Sequence, residues 1–232
     1  EPYKSRFNCK YGPDKWACEE LDKWGDAIKN NKFNLKDPVA AYQTAIASGH
    51  GIGKSTITSW IILFILSTRP HSKGICTANT SDQLKTKTWA ELGKWKKKCI
   101  SGDWFEYNNG KGNMNIYHNE FKESWRCDGQ TCREENSESF AGLHAANSSP
   151  FYIFDEASAI PDKIWEVAEG GLTDGEPFWF AFGNPTRNTG RFRECFRKFR
   201  NRWRNRHIDS RDVQITNKKK IGEWVKDYGE TS

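Results

Sequence analysis

The chain has 232 residues, a mass of 26.8 kDa and a formal charge of +6, with 11 Trp and a single Met, Met114. That length suits one domain or one domain with an appendage, and the tryptophans add enough buryable surface to favour a folded core over a disordered chain. The longest apolar run, Trp60 to Leu66, covers seven residues, far short of the roughly 18 to 20 that a bilayer-spanning helix needs, so no membrane partner is expected.

The chain begins at Glu1 and its single Met is Met114, so a cut or processed product is expected; a charged segment followed by an apolar core and a small-residue cleavage site is not visible, so no secretory signal is read. Seven cysteines form no Cys-x-x-Cys pair and cannot all pair internally, which fits a reducing, cytosolic setting. A zinc site on Cys127 and Cys132 has no second matched pair to support it.

Residues 13 to 31 read as a short helix carrying Trp16, Glu20, Trp24 and Ile28, ended by Asn30-Asn31. With it, 1–38 forms a helical lead-in, and 39–232 forms the main domain. Tyr42, Thr44 and Ile46 make Ala40 to Ala47 strand-like. That stretch runs into the glycine loop Ser48-Gly49-His50-Gly51-Ile52-Gly53-Lys54-Ser55-Thr56, and Thr56 to Ser67, apolar on nearly every side, reads as a buried helix. Lys73 to Ala78 is a second strand. Thr80 and Gln83 form a capping-box signature for the next helix, in which Leu84, Thr88, Leu92, Trp95 and Cys99 share a face.

Residues 101 to 140 carry little periodicity and read as a twisted set of short strands. Phe151 to Phe154 and Phe178 to Phe182 are wholly apolar runs, as expected of strands buried on both faces of a parallel sheet. Pro161 opens a helix between them and Gly170-Gly171 stops it. Strands alternating with helices predict an α/β fold with a central, mainly parallel β-sheet flanked by helices.

Ser48 to Ser55 nearly fits G-x-x-x-x-G-K-[ST], with Ser48 in place of the first Gly. Its glycines free the backbone to turn successive N–H groups around a phosphate, Lys54 would reach the β and γ phosphates, and the Ser55 hydroxyl would ligate Mg²⁺. A glycine-rich turn without ligand is the bland alternative, and the flanking strand and helix weigh against it. A triphosphate needs a metal-binding acid on a neighbouring strand. Asp155, after four apolar residues, suits that role, and Glu156 suits deprotonation of the attacking water. Gly183-Asn184-Pro185-Thr186 ends the next buried strand, where ligands gather in such sheets, so Asn184 and Thr186 are candidate γ-phosphate sensors.

From Arg187 to Arg206 nine basic residues face one acid, Glu194, and Phe192, Phe196, Phe199 and Trp203 recur at spacings of four, three and four. Two readings stand: an amphipathic surface helix with aromatics inward, or a surface that meets a polyanion.

Ser48-Gly-His-Gly-Ile-Gly-Lys-Ser55, Phe154-Asp-Glu-Ala-Ser158 and Gly183-Asn-Pro-Thr186, with Thr77-Ala-Asn-Thr80 and Gln83-Leu84, resemble the ATPase half of the large terminase subunit of tailed bacteriophages. The resemblance runs over most of Tyr42 to Phe196. It implies a P-loop NTPase (RecA/ASCE-like) fold and a Mg²⁺-dependent ATPase that drives double-stranded DNA into an empty capsid in the host cytoplasm. The implied partners are the portal protein, the small terminase subunit and further copies in a ring.

It also implies a nucleotide cradle of Gly49, His50, Gly51, Ile52, Gly53, Lys54, Ser55 and Thr56, with Ser55 and Asp155 on the metal and Lys54, Glu156 and Asn184 in catalysis. His50 stands where several relatives carry an arginine, and Ala141 stands where many carry the arginine that acts on a neighbour's ATP. An arginine finger is therefore sought at Arg187, Arg191 or Arg193. The nuclease domain that normally follows has no room before Ser232. A RecA-like helicase or other DNA-stimulated ATPase is the enzymatic alternative, and a non-catalytic DNA or portal adaptor is the alternative outside enzymology.

Overall fold

The computed structural model describes residues 12–110 and 112–229; Cys9 and residues 1–11 of the expected lead-in lie outside them. The elements are α1 (Lys15–Asn31), β1 (Tyr42–Ser48), α2 (Lys54–Thr68), β2 (Lys73–Ala78), α3 (Ser81–Gln83), a π-helical turn (Leu84–Trp89) and α4 (Ala90–Lys96). Then come β3 (Phe105–Gly110), β4 (Asn113–His118), β5 (Arg126–Thr131), β6 (Pro150–Phe154), α5 (Asp162–Glu169), β7 (Phe178–Gly183), α6 (Arg191–Cys195), β8 (Arg204–Ile208) and α7 (Lys218–Tyr228).

The strands form one eight-stranded sheet in the order β3-β4-β5-β2-β6-β7-β1-β8. Among the described residues, only the β3–β4 and β4–β5 pairs are antiparallel; β5, β2, β6, β7, β1 and β8 run parallel. This is the expected α/β architecture; the strands expected between 101 and 140 are β3, β4 and β5, whereas Glu134–Phe140 in the same stretch is 3₁₀-helical rather than a strand.

The apolar runs are buried on both faces because each strand sends alternate side chains to opposite cores. Phe178, Phe180 and Phe182 of β7 join α1 and α2 on one side. Trp24 of α1 meets Phe64, Phe178 and Phe180 edge-on, with ring centroids 5.0 to 5.3 Å apart. Trp179 and Ala181 point the other way, into a cluster with Tyr152, Phe154, Trp165 and Trp203. Nine of the fifteen α2 residues are buried, as expected of a helix apolar all round.

The region after Asn184 departs from the expected helix. Arg191–Cys195 is a single short helix, residues 196–202 are turns, and Arg204–Ile208 is a strand pairing in parallel with β1. The aromatic burial is as expected: Phe192 and Trp203 are buried, and Phe196 and Phe199 pack against the same cluster. Those contacts run through turns, so helical spacing of the aromatics does not require a helix. β8 carries little strand signature because it is a sheet edge with polar, largely exposed residues.

Candidate active site

Strands β6, β7 and β1 are adjacent and parallel, so their carboxyl ends lie at one edge of the sheet, where ligands bind in open α/β sheets. β1 releases the loop Gly49–Gly53, β6 releases Asp155 and Glu156, and β7 releases Asn184. The loop's sharp return depends on Gly51 and Gly53, at φ 75° and 94°, a region open to glycine. Gly53 then caps α2, whose amino end faces the site.

Lys54 is only 8% exposed. Its ammonium donates to the Gly49 carbonyl at 2.8 Å and to Ser48 Oγ at 3.3 Å, so Ser48 serves the loop through its hydroxyl. Burial pushes the Lys54 pKa down, and the nearby Glu156 and Asp155 charges counter that effect. Thr56, one turn into α2, donates to Glu91 Oε1 at 2.9 Å and ties the helix start to α4.

Asp155 is 6% exposed, and its backbone N–H donates to the Thr77 carbonyl at 2.8 Å, extending the sheet by one bond. Burial, with Glu156 adding to it, raises the Asp155 pKa above the usual carboxylate range; Thr88 and Lys54 oppose the rise. Thr88 Oγ1 donates to Asp155 Oδ2 from the π-helical turn. Periodicity places Thr88 on the inner face of its helix, but nothing in the sequence ties it to an acid 67 residues away.

Glu156 sits at φ 52°, ψ 44°, a left-handed conformation that costs a non-glycine residue about 1–3 kcal/mol and that gathers at functional sites. His50 meets it: Nδ1 lies 4.0 Å from Glu156 Oε1. The other ring nitrogen, Nε2, lies 3.2 Å from Asn184 Nδ2. Beyond Asn184, Thr186 Oγ1 lies 3.4 Å from Ser158 Oγ, which links the β7 loop to the turn after Glu156. The structure therefore brings the glycine loop, the acid pair and the Asn184 loop together.

The three arginines differ. Arg191 pairs with Glu169 and stacks on Phe199, with its guanidinium carbon 3.6 Å from the ring centroid. Arg193 lies 3.4 Å from Glu194. Arg187 is exposed, three residues after Asn184.

The candidate metal ligands are oxygen donors: the Ser55 hydroxyl at the start of α2 and the Asp155 carboxylate at the end of β6. Among the described residues no cluster of three or more His, Cys, Asp or Glu side chains suits a metal ion. The donor set fits Mg²⁺, which is commonly held by one or two carboxylates together with substrate phosphates.

No family model matches the chain. It is 30% identical over 150 residues to the probable terminase large subunit of Enterobacteria phage P7, a match over 64% of this chain and 30% of that protein. Its fold superposes on the large terminase ATPase domain of Thermus phage P74-26 with a TM-score of 0.58, at 18% identity over 82% of this chain and 84% of that one. The chain has the fold of a large-terminase ATPase domain. The large terminase of a thermophilic bacteriophage in complex with ADP gives a TM-score of 0.63 at 12% identity, over 94% of this chain and 50% of that one. The chain spans 30% of the length of the curated relative it matches. Among the described residues, no helix is long and apolar enough to cross a membrane.

Proposed function

We propose that the chain is a Mg²⁺-dependent ATPase of the terminase type, which turns loss of the γ phosphate into movement of a DNA-gripping surface. The observation that carries this reading is the meeting of Lys54, Asp155 with Glu156, and Asn184 at one sheet edge, with the Asp155 and Glu156 charges acting on Lys54 and His50 lying between Glu156 and Asn184. Lys54 binds the β and γ phosphates, exchanging its bond to the Gly49 carbonyl for phosphate oxygens. The backbone N–H groups of residues 49–54 wrap the same phosphates. Ser55 and Asp155 would hold a Mg²⁺ ion, which would supply positive charge to offset that of the triphosphate. Glu156 orients the attacking water and accepts its proton, and Asn184 senses the γ phosphate.

Of the three candidate arginines, Arg187 is the exposed one best able to reach a phosphate, because Arg191 pairs with Glu169 and Arg193 lies against Glu194. The exposed cations Arg197, Lys198, Arg200, Arg202 and Arg204 suit double-stranded DNA, since clustered cations neutralise phosphates and release counterions. Action in the host cytoplasm, on a portal, beside a small terminase subunit and as a ring of copies belongs to the same reading.

Nucleotide binding and hydrolysis measured on Lys54→Ala and Glu156→Gln test it. Lys54→Ala should lose ATP binding. Glu156→Gln should bind ATP as the parent does and turn it over at least about a hundredfold more slowly, as expected for loss of a general base. Equal loss of binding in both variants would contradict the assigned roles.

A further inference from the structure

His50 is 72% exposed at its side chain, yet its two ring nitrogens meet the two loops that approach the glycine loop from β6 and β7. With the proton on Nδ1, the bare Nε2 accepts from the Asn184 amide at 3.2 Å, and Nδ1–H faces the Glu156 carboxylate at 4.0 Å, one short closing movement from hydrogen-bond distance. His50 is a basic side chain that the structure places 4.0 Å from the Glu156 carboxylate, whose backbone is held in the left-handed region just after β6.

We propose that His50 is a positioning residue for the hydrolysis ascribed to this site, one that holds the Glu156 carboxylate toward the attacking water and ties it to Asn184. The proposal rests on the ATPase reading. The imidazole makes base and sensor one mechanical unit: when Asn184 moves with the γ phosphate, Glu156 moves too. Phosphate binding itself stays with Lys54 and the loop backbone.

The test compares ATP affinity and single-turnover hydrolysis in His50→Ala, His50→Gln, Asn184→Ala and the His50→Ala/Asn184→Ala double variant. The proposal expects His50→Ala to slow hydrolysis about ten- to a hundredfold, the scale of a misplaced catalytic group, with ATP Kd changed by less than about threefold. His50→Gln, whose amide offers both a donor and an acceptor, should recover most of the rate. The double variant should be no slower than the worse single variant, as coupled residues are non-additive. Parent-like hydrolysis in His50→Ala, a Kd loss as large as the rate loss, or a double variant whose loss is the product of the singles would overturn the role of His50 while leaving the ATPase reading intact. Unchanged ATP binding in Lys54→Ala would remove the ATPase reading, and the proposal with it.

Discussion

Thr88 donates its hydroxyl proton to Asp155 Oδ2, joining a π-helical turn to the acid at the end of β6. π-helical turns recur at functional sites. Here the wider turn faces the Thr88 hydroxyl toward a carboxylate that burial disfavours as an anion. Thr88→Val keeps the shape and removes only the donor. It should cost about 1–3 kcal/mol of stability, the penalty for a buried acceptor left without a partner, and slow hydrolysis more than it weakens ATP binding. Thr88→Ser should behave as the parent. Denaturant titration and single-turnover assays check both, and unchanged rates in Thr88→Val would show that Asp155 needs no such support.

Gly74 of β2 faces Phe151 of β6 across a register pair. A Cβ at Gly74 would overlap the Phe151 ring, so this glycine is required by close approach. Gly74→Ala should destabilise the fold by about 1–3 kcal/mol or more, the scale of overpacking, and Phe151→Leu should restore part of the loss. Thermal unfolding of the two single variants and the double variant measures this. Additive losses would mean that the two positions do not share space.

Much of the fold could be read from residues that act locally. β2 occupies Lys73–Ala78 as expected, and the wholly apolar Phe178–Phe182 run forms a central strand because each face meets its own core. The glycine loop, the acid pair and Asn184 were legible because each follows a buried strand. What stayed hidden depends on contacts between distant parts of the chain. Thr88 carries no mark of its acid partner, and His50 reads only as a loop position. The Phe192-to-Trp203 spacing suggests one helix because helix and turn-rich ledge present aromatics to a core at the same intervals. Only the pairing of Arg204–Ile208 with β1 separates them.

Arg206 clasps α1 to the edge strand β8, donating to Glu20 Oε1 at 2.7 Å and Glu19 Oε2 at 2.6 Å. Its hydrogen bond holds the Glu19 pKa below the usual carboxylate value. A depressed carboxylate adds stability above its unfolded pKa, about 4.3, and that contribution is lost as pH falls through the lower folded value. Arg206→Ala should therefore lower Tm by a few degrees at neutral pH, and the gap to the parent should narrow as pH falls below the carboxylate range. A gap independent of pH would assign the effect to packing of the arginine stem.

The exposed cations of residues 197–204 have a different signature. Each phosphate contact adds about 0.9 to the slope of log affinity against log salt on duplex DNA. Arg197→Ala/Arg200→Ala should lower that slope by about one for each contact removed and weaken binding similarly across sequences, with ATP affinity unchanged. An unchanged slope would remove this face from the DNA path.

The most direct measurement is a crystal structure of the chain soaked with a non-hydrolysable ATP analogue and Mg²⁺. The account predicts the triphosphate in the loop of residues 49–54, with Lys54 on its terminal oxygens, the metal between Ser55 and Asp155, and Glu156 and Asn184 facing the γ phosphate. An analogue bound elsewhere, or bound in the loop with Asp155 and Asn184 turned away from the γ phosphate, would contradict it.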